Sequence, residues 1–243
     1  MAACSVVPAS ERGGCCPGPL SIGVVIPVYN EARRLGVTLG HLAGTLRTAR
    51  VVVVDGGSSD DSATIAESHF PTLRSPVANR GLQMNLGARE LDTDVLLFVH
   101  ADSRLPDGFE ELIRLSLYQP EAAGGCFRLA FDADRTMLRF YSWCARFPGR
   151  FFHFGDQGIF VRRSVFDAMG GYRDLVFLED VDFLRRLRRH GRFVILGAEI
   201  TTSARRFLRK GIVRQQLRNA IIVALFELGV PARILIRLYP SVR

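Results

Sequence analysis

Three short polar clusters each follow an apolar run. They are "PVYNEA" (27–32), "DGGSSDDS" (55–62) and "HADSRLP" (100–106). Asp55 is placed to accept hydrogen bonds from a base or a ribose, and Gly56 and Gly57 allow a ligand close to the backbone. His100 and Asp102 lie two residues apart. On an extended segment they would share a face, where an imidazole and a carboxylate can hold a divalent cation that bridges a diphosphate. Asp, Gly, Asn and Ser also make ordinary turns, so each cluster alone reads as a turn. Three of them at the ends of successive strands point to a site. No GxxxxGK[ST] and no GxGxxG follows the first strand, which removes the P-loop and the dinucleotide fingerprint. Further along, Glu179 and Asp180 open a predicted helix. Asp182, two residues on, is turned away by about 200°, so only one of these acids can face a given hydroxyl. Asp156 and Gln157 could line an acceptor pocket or form a turn.

The surrounding pattern says what must position these groups. Residues 21–26, Val51–Val54 and 95–99 read as buried strands, with Pro27 stopping the first. Asn30 is the expected N-cap of a helix whose apolar face is Leu35, Leu39, Leu42 and Leu46. Ser59 or Asp60 should cap a helix reaching about Phe70, and 81–91 should form another. Strands alternating with helices predict an α/β fold with a doubly wound, mostly parallel sheet, whose ligands sit beyond the carboxyl ends of the strands. The second half reads as strands at 127–132, 158–163 and 192–197. Helices are expected at 136–147, 163–169, 179–190, 211–228 and 232–239. Residues 1–20 read as a disordered tail and 21–243 as one domain with a C-terminal helical tail.

The chain has 243 residues, a net charge of +8 and a pI near 9.8. That charge favours anionic partners such as nucleotides, phosphates or an anionic membrane face. Five cysteines without metal-ligand spacing read as free thiols of a cytoplasmic protein. There is no secretory leader pattern and no apolar run long enough to span a bilayer. The C-terminal helices, with Arg233 and Arg237, are expected to pack on the sheet, with peripheral membrane contact as the alternative. "RRLRR" (185–189) reads as a solvated helix face, and His153 and Trp143 as packing residues. Two other function classes compete. A nucleotidyltransferase would need a Gly-rich basic loop where "PVYNEARRL" stands. A nucleic-acid-binding protein would interleave arginines with exposed aromatics, whereas here the densest arginines lie at helical spacing, so no nucleic acid is expected.

Taken in order, "IPVYNEA", "VVVVDGGSSDDS", "FVHADS" and "FLEDVDF" resemble a family-two glycosyltransferase of the GT-A fold. "RGLQMNLGA" (80–88), "FGDQGIFVRRSVFDAMGGY" (154–172), "LEDVDFLRRLRRHGR" (178–192) and "TSARRF" (202–207) narrow the resemblance to a small bacterial-type subgroup. It covers roughly residues 21–240 and leaves the acceptor unnamed. The resemblance implies an inverting transferase that takes a nucleotide sugar, a UDP-sugar first. Pro27, Tyr29, Asn30 and Glu31, with Asp55 and Gly57, would hold the nucleoside, and Arg80 would lie near the nucleotide. Asp102 matches the last acid of the DxD motif and would carry manganese or magnesium, with His100 in place of the first acid. Glu179 and Asp180 match the acidic pair whose second member is the general base. Arg205 and Arg206 stand where a Q/R-x-x-R-W motif handles the leaving diphosphate, with Phe207 replacing the tryptophan.

Overall fold

In the computed structural model, which describes residues 18–147, 149 and 154–238, the apolar runs become the centre of one sheet. Strands β1 (Ile22–Val28) and β2 (Arg50–Asp55) are buried almost throughout because helices cover both faces. Val24, Ile26 and Val53 join one core with Leu35, Leu39 and Leu42 of helix α1 (Ala32–Thr45). Val25, Val52 and Val54 join the opposite core with Met84 and Ala88. Successive strand residues point to opposite faces, so a sheet covered on both sides requires runs without polar alternation.

The chain continues through α2 (Ser62–Glu67), β3 (Thr72–Arg74), α3 (Arg80–Glu90), β4 (Val95–Phe98), β5 (Ser103–Arg104), α4 (Phe109–Ser116) and β6 (Ala122–Phe131). It then forms α5 (Thr136–Cys144), β7 (Ile159–Arg162), α6 (Arg163–Ala168), α7 (Glu179–Leu187), β8 (Arg192–Thr202), α8 (Arg205–Lys210), α9 (Ile212–Glu227) and α10 (Ala232–Leu235). The sheet order is β3-β2-β1-β4-β7-β6-β8-β5. The first four strands are parallel, as expected. β7 runs antiparallel to both β4 and β6, and β5 antiparallel to β8, so the whole sheet is mixed.

Several expected boundaries move. β1 runs through Pro27 rather than stopping before it. Val99 N–H donates to Val25 O, so odd-numbered residues of β1 face β4, and the last β1–β4 pair is Val25 with Phe98. The missing N–H of Pro27 therefore falls where that ladder has already ended. Asn30 does not cap α1. Its φ is +53°, and the first α1 amides are met from the next loop, by Ser62 Oγ at Glu31 N and Asp60 Oδ2 at Ala32 N. α2 is shorter than expected and begins after Asp61. β6 starts at Ala122, five residues before the expected strand, and β8 extends to Thr202. β3 and β5 are too short for periodicity to announce them. α3 lies so close to the sheet that a Cβ on Gly87 would come within 2.5 Å of Val25 Cγ1.

The C-terminal helices pack mainly on other helices and meet the sheet where Ile212 joins Leu129 and Phe131 of β6. Ile222, Val223 and Leu235 bury with Leu178 and Val181 at the start of α7. A second cluster joins Leu138 and Tyr141 of α5 to Ala204 and Phe207. Trp143 packs against the Phe140 and Phe147 rings but is half exposed, and His153 and the tail up to residue 17 lie outside the described residues. "RRLRR" is not simply a solvated face, because Arg186 is buried and bonds Asp182 at 2.8 Å and the Gly171 carbonyl at 2.8 Å. Among the described residues, no helix is long and apolar enough to cross a membrane.

Candidate active site

The carboxyl ends of β1 and β2 finish level, with Val28 paired to Asp55. Gln83 of α3, itself buried, clamps them: its Nε2 donates to Val28 O at 2.8 Å and Val54 O at 2.7 Å. Asp55 is buried and shapes its own loop. Its carboxylate accepts Gly57 N–H and Ser58 N–H at 3.0 Å and Ser58 Oγ at 2.5 Å, with Gly57 at φ +81°. Asn30 faces the same loop, its Oδ1 accepting Ser59 N–H at 2.8 Å. Pro27 is buried in β1, and Tyr29 follows it at the strand end. The first two clusters thus form one rim held by internal hydrogen bonds, with both Asp55 oxygens already engaged.

Charged groups gather beside that rim. Arg205 Nη2 donates to both oxygens of Glu31, at 3.1 and 3.2 Å. Arg80 Nη1 donates to Glu179 at 3.2 Å. Gly155 N–H donates to Asp180 Oδ2 at 2.7 Å, and Val181 N–H to Asp180 Oδ1 at 2.8 Å. His100 Nε2 presses on the same glycine: a Cβ at Gly155 would stand 2.8 Å from it and 3.2 Å from Asp180 Oδ2. A side chain at this position would have to displace His100 or Asp180 where they converge. His100 and Asp102 do not lie on an extended segment. The chain turns there, with Ser103 N–H bonded to His100 O at 3.0 Å, so the alternation argument for a shared face does not apply. Asp102 nonetheless sits within electrostatic reach of Glu31, Arg80 and Asp156, and Arg206 within reach of Glu31, His100 and Asp156.

Five carboxylates (Glu31, Asp102, Asp156, Glu179 and Asp180) thus meet three arginines (Arg80, Arg205 and Arg206). Proton affinities respond accordingly. Burial raises Glu31, against the pull of Arg205. Burial raises Glu179 too, against Arg80. Burial, then the Arg80 and Arg206 charges, hold His100 well below the usual imidazole range, which keeps it neutral. Asp156 is pushed up to about 7 by burial and by Asp180 and Asp102, and its Oδ1 is buried without a hydrogen-bond partner among the described residues. Among the described residues no three His, Cys, Asp or Glu side chains form a ready metal cage. Asp102 and His100 offer two donors, which suits a cation whose remaining ligands come from a substrate's phosphates.

Gln157, the one candidate turned away from the others, is fully buried. Its Oε1 accepts Phe154 N–H at 3.2 Å, and its Nε2 has no partner among the described residues. Asp182 also points elsewhere, as helical rotation requires, into the Arg186 pair. Other residues that sequence reasoning passed over hold the site together. Gln83 was signalled only by being polar on a helix face otherwise aimed at the sheet. Arg34 bonds Asp132 at 2.7 Å and Ser203 at 2.8 Å, fixing the chain just before Arg205. Asn85 exchanges two 2.8 Å hydrogen bonds with the Tyr172 backbone, anchoring the loop that leads to Leu178. The non-glycine residues with positive φ among those described, Asn30 and Leu178 (+62°), each immediately precede a site acid. Such conformations persist only where the surroundings impose them.

Comparison with known proteins identifies the family and the fold. The family model described as glycosyl transferase family 2 matches residues 23–172. Protein RfbJ of Shigella flexneri is 29% identical over 103 residues, covering 40% of this chain and 80% of that protein. Two solved structures share the fold at low identity. The mannosyltransferase PcManGT from Pyrobaculum calidifontis, in complex with GDP-Man and Mn2+, superposes with a TM-score of 0.67 at 16% identity, over 90% of this chain and 70% of its own. S. aureus TarS 1–349 superposes with a TM-score of 0.63 at 14% identity, over 90% and 69%. In its complex with UDP-GlcNAc the TM-score is 0.61 at 15% identity, over 76% and 58%. The sheet and its flanking helices are those of the GT-A glycosyltransferases.

Proposed function

The chain belongs to glycosyl transferase family 2 and is a glycosyltransferase, and we propose that it moves a sugar with inversion from a nucleoside diphosphate to an acceptor hydroxyl, with Asp180 as the base. The observation that carries this reading is the convergence of the Asp180 carboxylate, His100 and the Gly155 amide at one point beside Arg80 and Arg206. Backbone N–H groups of Gly155 and Val181 orient Asp180, and each of its oxygens keeps a further lone pair for the acceptor proton. A base so placed is worth ~100- to 10,000-fold in rate.

The nucleoside would rest against the rim of Pro27, Tyr29, Asn30 and Glu31 and the Asp55–Gly57 loop. Asp55 acts through that loop, since its oxygens serve Gly57 and Ser58. Arg80, Arg205 and Arg206 would meet the negative charge that grows on the leaving diphosphate. They are outnumbered by the carboxylates around them, which favours a divalent cation at Asp102 with His100 beside it. When bound, that cation supplies further positive charge to the diphosphate. The complexes of PcManGT with GDP-Man and Mn2+ and of TarS with UDP-GlcNAc support a nucleotide-sugar donor and a metal for this chain as well. Asp156, beside Asp180, lies on the acceptor side.

Asp180→Asn tests the assignment. Melting shifts with UDP and GDP, with and without Mn2+, report nucleotide binding, and release of the diphosphate from UDP-GlcNAc or GDP-mannose reports turnover. The variant should bind nucleotide like the parent and turn over ~100-fold more slowly or worse. Asparagine keeps the shape and one oxygen that can still accept a backbone N–H, so a purely structural Asp180 would leave turnover within a few-fold of the parent. That outcome would move the base to Glu179 or Asp156.

A further inference from the structure

We infer that the face formed by α5 and α9 docks on an anionic lipid bilayer. Both helices already have a buried side: Leu138 and Tyr141 on α5, Ile222 and Val223 on α9. Each also presents a second apolar side to solvent. Phe140, Trp143 and Phe147 at the α5 end are 57%, 50% and 47% exposed. Val213, Leu217 and Ile221 on α9, spaced four apart and so on one helical stripe, are 52%, 60% and 57% exposed. The two stripes are one surface, because Phe140 and Val213 line the same 190 Å³ apolar cavity between the helices. The aromatic rings are ordered against each other, with Phe140 and Trp143 stacked at 6.0 Å and Trp143 and Phe147 edge-on at 4.8 Å.

Charge selects the occupant. Exposed Arg139 flanks the aromatic stripe, and Arg214 and Arg218 flank the α9 stripe. Residues 205–243 contain nine basic residues and a single acid, Glu227, so the whole net charge of +8 belongs to this segment and the first 204 residues are balanced. Apolar stripes bordered by arginine, with aromatics beside them, are what an interfacial helix offers to an anionic membrane. A two-fold contact with another copy would instead set these arginines against each other. Tyr141, on the cavity wall, also lies within electrostatic reach of Asp156 and Asp180. Docking would thus hold the site near the bilayer, although the docking itself does not depend on the transferase reading.

Trp143 is the only tryptophan in the chain and stands in the middle of this face, so its emission reports docking directly. With the full chain, vesicles of phosphatidylcholine containing phosphatidylglycerol should shift Trp143 emission to the blue, and brominated acyl chains should quench it. Phosphatidylcholine alone should do neither, and raised ionic strength should release the protein. Phe140→Ser with Leu217→Ser should weaken binding roughly ten-fold or more. Arg214→Glu with Arg218→Glu should abolish the preference for anionic vesicles. Phe140, Leu217 and Arg214 are exposed and Arg218 is half-buried, so both variants should melt close to the parent, and unchanged nucleotide-induced melting shifts would show an intact fold. No shift with anionic vesicles, equal binding to neutral ones, or undiminished binding by the serine variant would each overturn the proposal. So would a blue shift that grows with protein concentration in the absence of lipid, which would mean that a second copy covers the face.

Discussion

Asp156 has an oxygen with no partner among the described residues and two other carboxylates close by, and its proton affinity reflects its burial and those carboxylates. Its folded value of about 7 lies above the ordinary 3.8. The folded state therefore holds the proton more tightly than the unfolded chain does. The stability this contributes is complete below the unfolded value and is lost as pH rises to about 7. Asp156→Asn keeps the shape and never ionises. Urea unfolding across pH should find the variant gaining on the parent between about pH 4 and 7 and level outside that window, with about 4 kcal/mol as the upper limit. A difference that stays constant with pH would show that Asp156 titrates normally. Sequence spacing could put Asp156 and Gln157 in one turn but could not say what each meets: Asp156 lies among the site charges, and Gln157 is buried against Phe154 N–H and Cys126. The same limit hid Gln83, whose role depends on two carbonyls more than 25 residues away in sequence. His100 and Asp102 were expected to share a face by strand alternation, whereas the chain turns between them, with Ser103 N–H bonded to His100 O.

At the scale of elements, α7 shows what patterning reveals and what it conceals. Its start at Glu179 and the divergence of Asp182 from Asp180 followed from acids at a helix entry and from 100° per residue. The arginines following it looked like a solvent-facing run. Arg186 instead spans Asp182 and the carbonyls of Met169 and Gly171, a partnership no local pattern encodes. This buried pair locks the loop before α7 to the helix and so helps hold Leu178 in its left-handed conformation, with Glu179 and Asp180 aimed at the site. Arg186→Leu should cost about 3 kcal/mol in chemical unfolding, because Asp182 and two carbonyls lose their buried donor. Arg173 and Arg185 still approach Asp182 at 3.4 and 3.3 Å, which keeps the loss at that level. An unchanged unfolding midpoint would mean that those two arginines suffice. β1, β2 and β4 were readable because burial on both faces writes an uninterrupted apolar run. β3 and β5 were not, since three and two residues carry no period.

For the whole molecule, the distribution of buried surface predicts two levels of stability. β1, β2 and β4 are covered on both faces by separate cores, so exposing their amides requires undoing both. α9 buries only Gln215, Ile222 and Val223 among its 16 residues, and its cover over α7 is completed by Leu235 of the four-residue α10. The apolar content of the C-terminal segment suggested packing on the sheet, but half of that content faces solvent. Composition cannot tell a stripe that buries from one left outside. Regions with few buried apolar contacts open locally, at a lower free energy than the whole fold. Native-state hydrogen exchange should therefore show the α9 and α10 amides exchanging well before those of Val24, Val53 and Leu97, and with a weaker dependence on denaturant. The consequence reaches the site, because Ile222 and Val223 lie on Leu178 and Val181, the residues that flank Glu179 and Asp180. Each local opening of α9 would uncover the start of α7, so α7's first amides should exchange with α9 and ahead of those in the sheet. Protection of α9 equal to that of the central strands would mean that the helical tail and the sheet unfold as one unit.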